Sequence, residues 1–178
     1  MTLLHICCAA CATVCVERLR KNGYDIIGYF YNPNIHPPAE YNKRCKEVAK
    51  LSEVMEFELH TGEYELSRWF EKIKGLEDEP ERGKRCEICY ELRLEETAVL
   101  AKKLGIKQFT TTLSVSPHKC FKRIKLIGEK IAQRHKLLFL PCDFKKKDGF
   151  KRSVELSKEY NLYRQSYCGC IFSGSLGK

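Results

Sequence analysis

Short runs of β-branched and aromatic residues alternate with helical segments along this chain, and the alternation repeats often enough to decide its architecture. Leu3-Leu4-His5-Ile6 reads as an apolar strand and residues 7–21 as a helix ending at Asn22-Gly23. Tyr24 to Tyr31 is a second strand, broken by Asn32-Pro33-Asn34, where proline removes a backbone donor and restricts its neighbour. The same patterns predict helices over 38–54, 64–73 and 86–104, another between Pro117 and Lys136, and a last one over 149–160. They predict strands at 56–59, 108–113 and 137–140, the last of a buried type. Gly75 to Gly83 is an acidic, proline-containing loop. Strands joined by helices make a sheet that is covered on both faces. The expected fold class is therefore α/β, a single domain over residues 1–178 built on a mostly parallel, five-stranded, Rossmann-like sheet. Ligands of such sheets bind beyond the carboxyl ends of the strands. Cys7-Cys8, Asn32-Pro33-Asn34 and Leu113-Ser114 each follow a predicted strand, so they share that rim.

At 178 residues and 43% hydrophobic content, the chain has enough apolar material for one core without covalent staples. No apolar run approaches the roughly 18 residues of a membrane span, which excludes a membrane-embedded protein. Residues 1–12 read as a strand running into cysteines, not as an export signal, so a cytoplasmic protein is expected. Lys and Arg outnumber Asp and Glu by 32 to 23. The whole excess lies between Lys119 and Arg164, where 14 basic side chains meet 5 acidic ones. That asymmetry favours a polyanionic partner, nucleic acid ahead of membrane; a solvated charged helix is the plainer alternative.

Eleven cysteines are too many for incidental use in a chain of this size without an export signal, and metal or redox chemistry is the default reading. Seven fall into close groups: Cys7, Cys8 and Cys11; Cys86 and Cys89; Cys168 and Cys170. Cys8 and Cys11 stand three apart at a predicted helix N-terminus, where peptide dipoles favour thiolate, and Cys86 and Cys89 repeat that spacing. Gly169 permits a tight loop between the last pair. Seven thiolates exceed one tetrahedral zinc or one four-ligand 4Fe-4S cluster, which leaves room for a cluster and a second metal. Thiolate softness narrows the metal to zinc, iron–sulfur or copper(I). Adjacent Cys7-Cys8 and the Cys-Gly-Cys loop fit poorly with the matched knuckles of a zinc ribbon, so redox metal stands ahead of structural zinc. Cys15, Cys45, Cys120 and Cys142 are isolated and read as buried or incidental thiols. His5 reads as a core histidine, His36 as a candidate on the rim, and His60, His118 and His135 as surface residues. The chain contains neither a Walker-type loop nor a GxGxxG fingerprint.

Six ordered motifs span nearly the whole chain. They are Leu3-Leu4-His5-Ile6-Cys7-Cys8-Ala9-Ala10-Cys11, then Tyr31-Asn32-Pro33-Asn34-Ile35-His36-Pro37 with Glu40, Tyr41 and Arg44, then Arg85-Cys86-Glu87-Ile88-Cys89-Tyr90. Thr111-Thr112-Leu113-Ser114-Val115-Ser116-Pro117, Asp143-Phe144-Lys145-Lys146-Lys147-Asp148-Gly149 and Leu162-Tyr163-Arg164-Gln165-Ser166-Tyr167-Cys168-Gly169-Cys170 follow. With these motifs the chain resembles the epoxyqueuosine reductases of the QueH type, departing at Ala10, where that family often carries proline. The resemblance implies reduction of the epoxide of epoxyqueuosine, at the wobble position of tRNA, to queuosine, the last step of queuosine biosynthesis. It implies a fold like that of the adenine nucleotide alpha-hydrolases (HUP), and a 4Fe-4S cluster beside an additional mononuclear iron, without cobalamin. The seven clustered cysteines are then the expected metal ligands, their division between cluster and lone iron open, and the C-terminal Cys-Gly-Cys tail is expected to pack back on the site.

In that reading the cluster supplies electrons and the second iron a Lewis acid, from a donor the sequence does not identify. Tyr167 and Asp143 are the candidate proton donors, Asp143 alternatively a metal ligand. Lys145, Lys146, Lys147, Lys151 and Arg152 are expected on phosphates of the anticodon loop. Asn32, Asn34, His36, Thr112, Ser114 and Gln165 are expected to bind the target nucleoside, and Tyr31, Tyr41 and Tyr90 to stack or pack. Rival readings are an RNA-thiolating enzyme on the same sheet type, a zinc-stabilised RNA-binding module, and a thiol-disulfide oxidoreductase using Cys86 and Cys89.

Overall fold

In β1 (Thr2–His5) successive side chains leave opposite faces of the sheet, so Leu3 joins one apolar cluster and Leu4 the other. The computed structural model describes residues 1–173; the domain boundary expected at 178 lies outside the described residues. Four further strands, β2 (Ile26–Phe30), β3 (Glu58–Thr61), β4 (Gln108–Thr111) and β5 (Leu138–Phe139), complete one sheet of order β3-β2-β1-β4-β5. Every pairing is parallel. The connecting helices are α1 (Ala9–Lys21), α2 (Pro38–Val54), α3 (Leu66–Ile73), α4 (Lys84–Lys103), α5 (Phe121–His135) and α6 (Gly149–Glu159). Helices α3, α4 and α5 cover the Leu3 face, whereas α1, α2 and α6 cover the Leu4 face. The fold is thus the α/β sheet that the alternation predicts, and no helix of the described residues is long and apolar enough to cross a membrane.

Gly28, mid-strand in β2, marks a close approach. A Cβ there would lie 2.7 Å from Phe57 and 2.9 Å from Ile6, so only hydrogen fits beneath those side chains.

Three elements differ from the sequence expectation. The strand expected at 56–59 starts at Glu58, because Glu56 takes a left-handed conformation (φ 50°) and Phe57 N–H donates to Ser52, which ends α2 first. The strand expected to reach Leu113 stops at Thr111, whose hydroxyl accepts the Leu113 N–H at 3.2 Å and opens a 3-10 turn over Thr112–Val115. The expected buried strand at 137–140 is a two-residue edge strand with Leu138 64% exposed, since an apolar run alone does not distinguish a central strand from an edge.

The chain runs outward from β1 to β2 and β3, then returns to β4 and β5 on the other side. Strand order therefore reverses between β1 and β4, and the crevice beyond their carboxyl ends is the place such a sheet offers a ligand.

Candidate metal centre

Beyond β1 the chain turns through Cys7 and Cys8 into α1, with Cys8 as the extended N-cap residue (φ −169°, ψ 159°). The Sγ atoms of Cys7, Cys8 and Cys11 all lie within 4.8 Å of one another, and those of Cys7 and Cys8 are 3.8 Å apart. The turn after β4 holds this triad from the side. Thr112 Oγ1 accepts the Cys7 N–H at 3.0 Å and donates to Cys7 Sγ at 3.2 Å. Gln165 Nε2 donates to Cys8 Sγ at 2.9 Å.

The second group comes from two segments. Cys86 and Cys89 occupy the first turns of α4, and Cys168 and Cys170 lie on the C-terminal segment. That segment is tied across the rim. Arg44, in α2, donates to the carbonyls of Tyr167 and Cys168 at 3.1 Å each, and the His36 N–H donates to the Gly169 carbonyl at 2.8 Å. Gly169 has φ 104°, and a Cβ there would meet Ile35 at 2.8 Å, so glycine is required between the two cysteines. A cavity of about 490 Å³ results, lined by Cys7, Cys11, Cys86, Cys89, Cys168 and Cys170, with Cys8 beside Cys7. All eleven cysteines are free thiols.

Each group holds one thiol far more acidic than its neighbours. Cys7 is held well below the usual thiol range because Cys11 and then Cys8 donate to it, and Cys11 is pushed up correspondingly. Cys168 is held down by its donor Cys170, which is raised in turn. Lys119, on the cavity wall, contributes its charge to both acidic thiols. Burial raises Cys86 and Cys89. His5 is a core histidine: Nδ1 meets Thr111 Oγ1 at 2.8 Å and Nε2 meets the Tyr31 carbonyl at 3.1 Å. Its pKa falls to about 3, by burial first and then by the charge of Arg93.

The remaining expected residues divide. Asn34, Gln165, Tyr167 and Tyr90 line the cavity, and the amide oxygens of Asn34 and Gln165 are buried without a hydrogen-bond partner. The Tyr167 hydroxyl donates to the His36 carbonyl at 2.5 Å, and His36 Nδ1 is buried and unpartnered. Asn32 and Ser114 are engaged internally: Asn32 donates to the Ile6 carbonyl, and Ser114 links Cys142 to Phe144. Asp143 stands outside the lining, with Oδ1 buried and unpartnered. Tyr31 donates to Glu65, and Tyr41 stacks on Tyr64, so both are packing residues. Lys145 reaches the Lys119 carbonyl at 2.7 Å, Lys146 and Lys147 are exposed, and Arg152 pairs with Glu17 at 2.6 Å. Cys15, Cys45, Cys120 and Cys142 do not line the cavity.

Several cavity residues escape a reading of the sequence. Lys119, Arg44, Arg85, Arg93 and Arg164 line it against one acidic residue, Glu81, and Trp69 and Phe150 complete the wall. Arg85 is buried and donates to the carbonyls of Leu76, Glu77 and Glu79, which pins the acidic loop beside Cys86. The signal for Arg44 and Arg85 is their place beside Tyr41 and Cys86 in the ordered motifs; Arg93 has none.

A profile of the epoxyqueuosine reductase QueH family matches residues 2–175. An epoxyqueuosine reductase QueH of Streptococcus pyogenes serotype M1 is 40% identical, over 98% of this chain and 70% of its own length. Those of Staphylococcus epidermidis and Thermotoga maritima are 41% and 39% identical, over 96% of this chain and 75% and 88% of their own lengths. With thiols from three distant segments meeting at the switch point of its sheet, and likeness along its whole described length, the chain belongs to the epoxyqueuosine reductase QueH family.

Proposed function

We propose that this chain reduces the epoxide of epoxyqueuosine in the anticodon loop of tRNA, in the cytoplasm, using a 4Fe-4S cluster and an additional mononuclear iron and no cobalamin. The observation that carries this reading is the convergence of six cysteines on one cavity, with Cys8 adjoining, in a chain of this family. The donor set suits the group: soft thiols, more of them than one four-ligand site uses, among cations that offset an anionic centre. Cys7, Cys8 and Cys11 are compact enough to share one ion as they stand, and Cys86, Cys89, Cys168 and Cys170 supply four further ligands. When bound, the iron centres supply single electrons and a Lewis acid.

Conversion of an epoxide to an alkene and water takes two electrons and two protons. Tyr167 is the acid we assign, because it lines the cavity and Asp143 does not; its hydroxyl, which donates to the His36 carbonyl in this structure, turns to the substrate to act. Burial raises the Tyr167 pKa, so its hydroxyl keeps the proton until a strong base forms beside it. The unpartnered amide oxygens of Asn34 and Gln165 are acceptors for the hydroxyls of the cyclopentane ring, and Gln165 is oriented by its bond to Cys8. Phe150, 41% exposed on the cavity wall and 5.5 Å from the Arg164 guanidinium, offers a stacking face to an unstacked base. Lys119, Lys146, Lys147 and Lys151 supply phosphate contacts, and the target base leaves its stack to enter.

The test is anaerobic reconstitution with iron and sulfide, followed by epoxyqueuosine-tRNA and a one-electron reductant, with digestion and mass spectrometry of the nucleosides. A product lighter by one oxygen atom is expected, with more iron than sulfide on the chain. A colourless, zinc-only protein that resists reconstitution and leaves the substrate unchanged would instead identify an RNA-binding module with a structural metal.

A further inference from the structure

Arg93 is 3% exposed, on α4 one turn beyond Cys89, and has no carboxylate partner among the described residues. Its hydrogen bonds go to neutral acceptors, the Cys89 carbonyl at 3.0 Å and Asn32 Oδ1 at 3.4 Å. The Tyr90 ring lies 5.7 Å away, and Arg93 shares the cavity wall with Cys7, Cys89 and Cys168. A guanidinium taken out of water needs a compensating anion, and an unpaired one is strongly unfavourable. The other buried arginines of the cavity meet that need differently: Arg44 pairs with Glu40 at 2.7 Å, and Arg85 is surrounded by carbonyls.

We propose that Arg93 is the fixed counter-charge of the sulfur site, offsetting the negative charge that a metal-loaded set of thiolates carries. Arg93 acts through the site and is a positioning residue. The proposal rests on the reading that these thiols bind metal, and it has a consequence that a purely structural arginine does not share. In the metal-free chain the guanidinium hydrogen-bonds to neutral oxygens, the Cys89 carbonyl and Asn32 Oδ1, so its removal breaks no carboxylate pair there. In the loaded chain the same removal leaves an anionic site uncompensated, which weakens metal binding and favours the oxidised state of the cluster.

The experiment compares wild type with Arg93→Met, Arg93→Gln and Arg93→Lys as metal-free and loaded protein. Thermal melting, Co(II) affinity from the thiolate charge-transfer bands, and the midpoint potential of the reconstituted cluster are read. Met and Gln variants are expected to melt no lower than wild type without metal, to bind Co(II) roughly 10–100-fold more weakly, and to show a more negative midpoint. Lys restores most of the affinity and potential. Variants that melt lower when metal-free, with unchanged Co(II) affinity and midpoint, overturn the counter-charge while leaving the metal reading intact. A wild-type chain that binds neither Co(II) nor a cluster overturns both.

Discussion

Cys11 and Cys15 lie one turn apart on α1, and their surroundings give them different work. Cys11 reaches the cavity, whereas Cys15 is fully buried in the apolar cluster beneath α1, where burial pushes its thiol well up. Cys15→Ala is therefore expected to keep full iron and sulfide content and lose about 1 kcal/mol of stability, while Cys11→Ala loses metal. Iron and sulfide per chain, with a denaturant midpoint, checks this; loss of iron from a folded Cys15→Ala protein would count against it. Grouped spacing makes that distinction legible in the sequence, since chelation asks for thiols a few residues apart. Arg93 is not legible, because an arginine within a helical pattern reads as a solvated charge. Its burial comes from tertiary neighbours such as Asn32, sixty-one residues upstream.

At the next scale, Lys145, Lys146 and Lys147 sit on a loop whose backbone is fixed from another element. Arg18, in α1, donates to the carbonyls of Phe144, Lys146 and Lys147 at 2.7–3.0 Å. Lys147 and Asp148 are both left-handed (φ 50° and 57°), and a Cβ on Gly149 would overlap the Phe144 carbonyl oxygen. Gly149→Ala is expected to displace this loop, costing about 1–3 kcal/mol of stability. Metal content should be unchanged, whereas the slope of RNA affinity against salt falls by about 0.7–0.9 for each phosphate that the displaced lysines no longer neutralise. Binding of an anticodon stem-loop at several salt concentrations tests this; an unchanged slope would remove the loop from the interface. The sequence marks the lysines, but not the Arg18 anchor, whose partners lie more than a hundred residues away. Helix and strand order is readable because each element carries its own period, whereas the 3-10 turn at Thr112 requires knowing that Thr111 bonds to its neighbouring backbone.

For the whole molecule, the cavity joins the start of α1, the start of α4 and the C-terminal segment, which are far apart in the chain and contribute sulfur to one place. The C-terminal segment is tied down by Arg44, the His36 N–H, Gln165 on Cys8, the Tyr167 hydroxyl, Arg164 on α6 and Arg85 on the Phe172 carbonyl. A metal that ligates thiols from these segments cross-links them, and its binding energy becomes folding energy. With free metal about 1,000 times the dissociation constant, linkage contributes about 4 kcal/mol, or roughly 8–16 °C in melting temperature for a chain of this size. Chelation under anaerobic conditions is therefore expected to lower the melting temperature by that order. The loss should also be uneven: amide exchange rises most over residues 165–170, while β1 and β2, buried between both helical layers, stay protected. Exchange that rises equally in β1 and in the C-terminal segment would mean that the metal supports the sheet as a whole, and that the rim is not closed by sulfur.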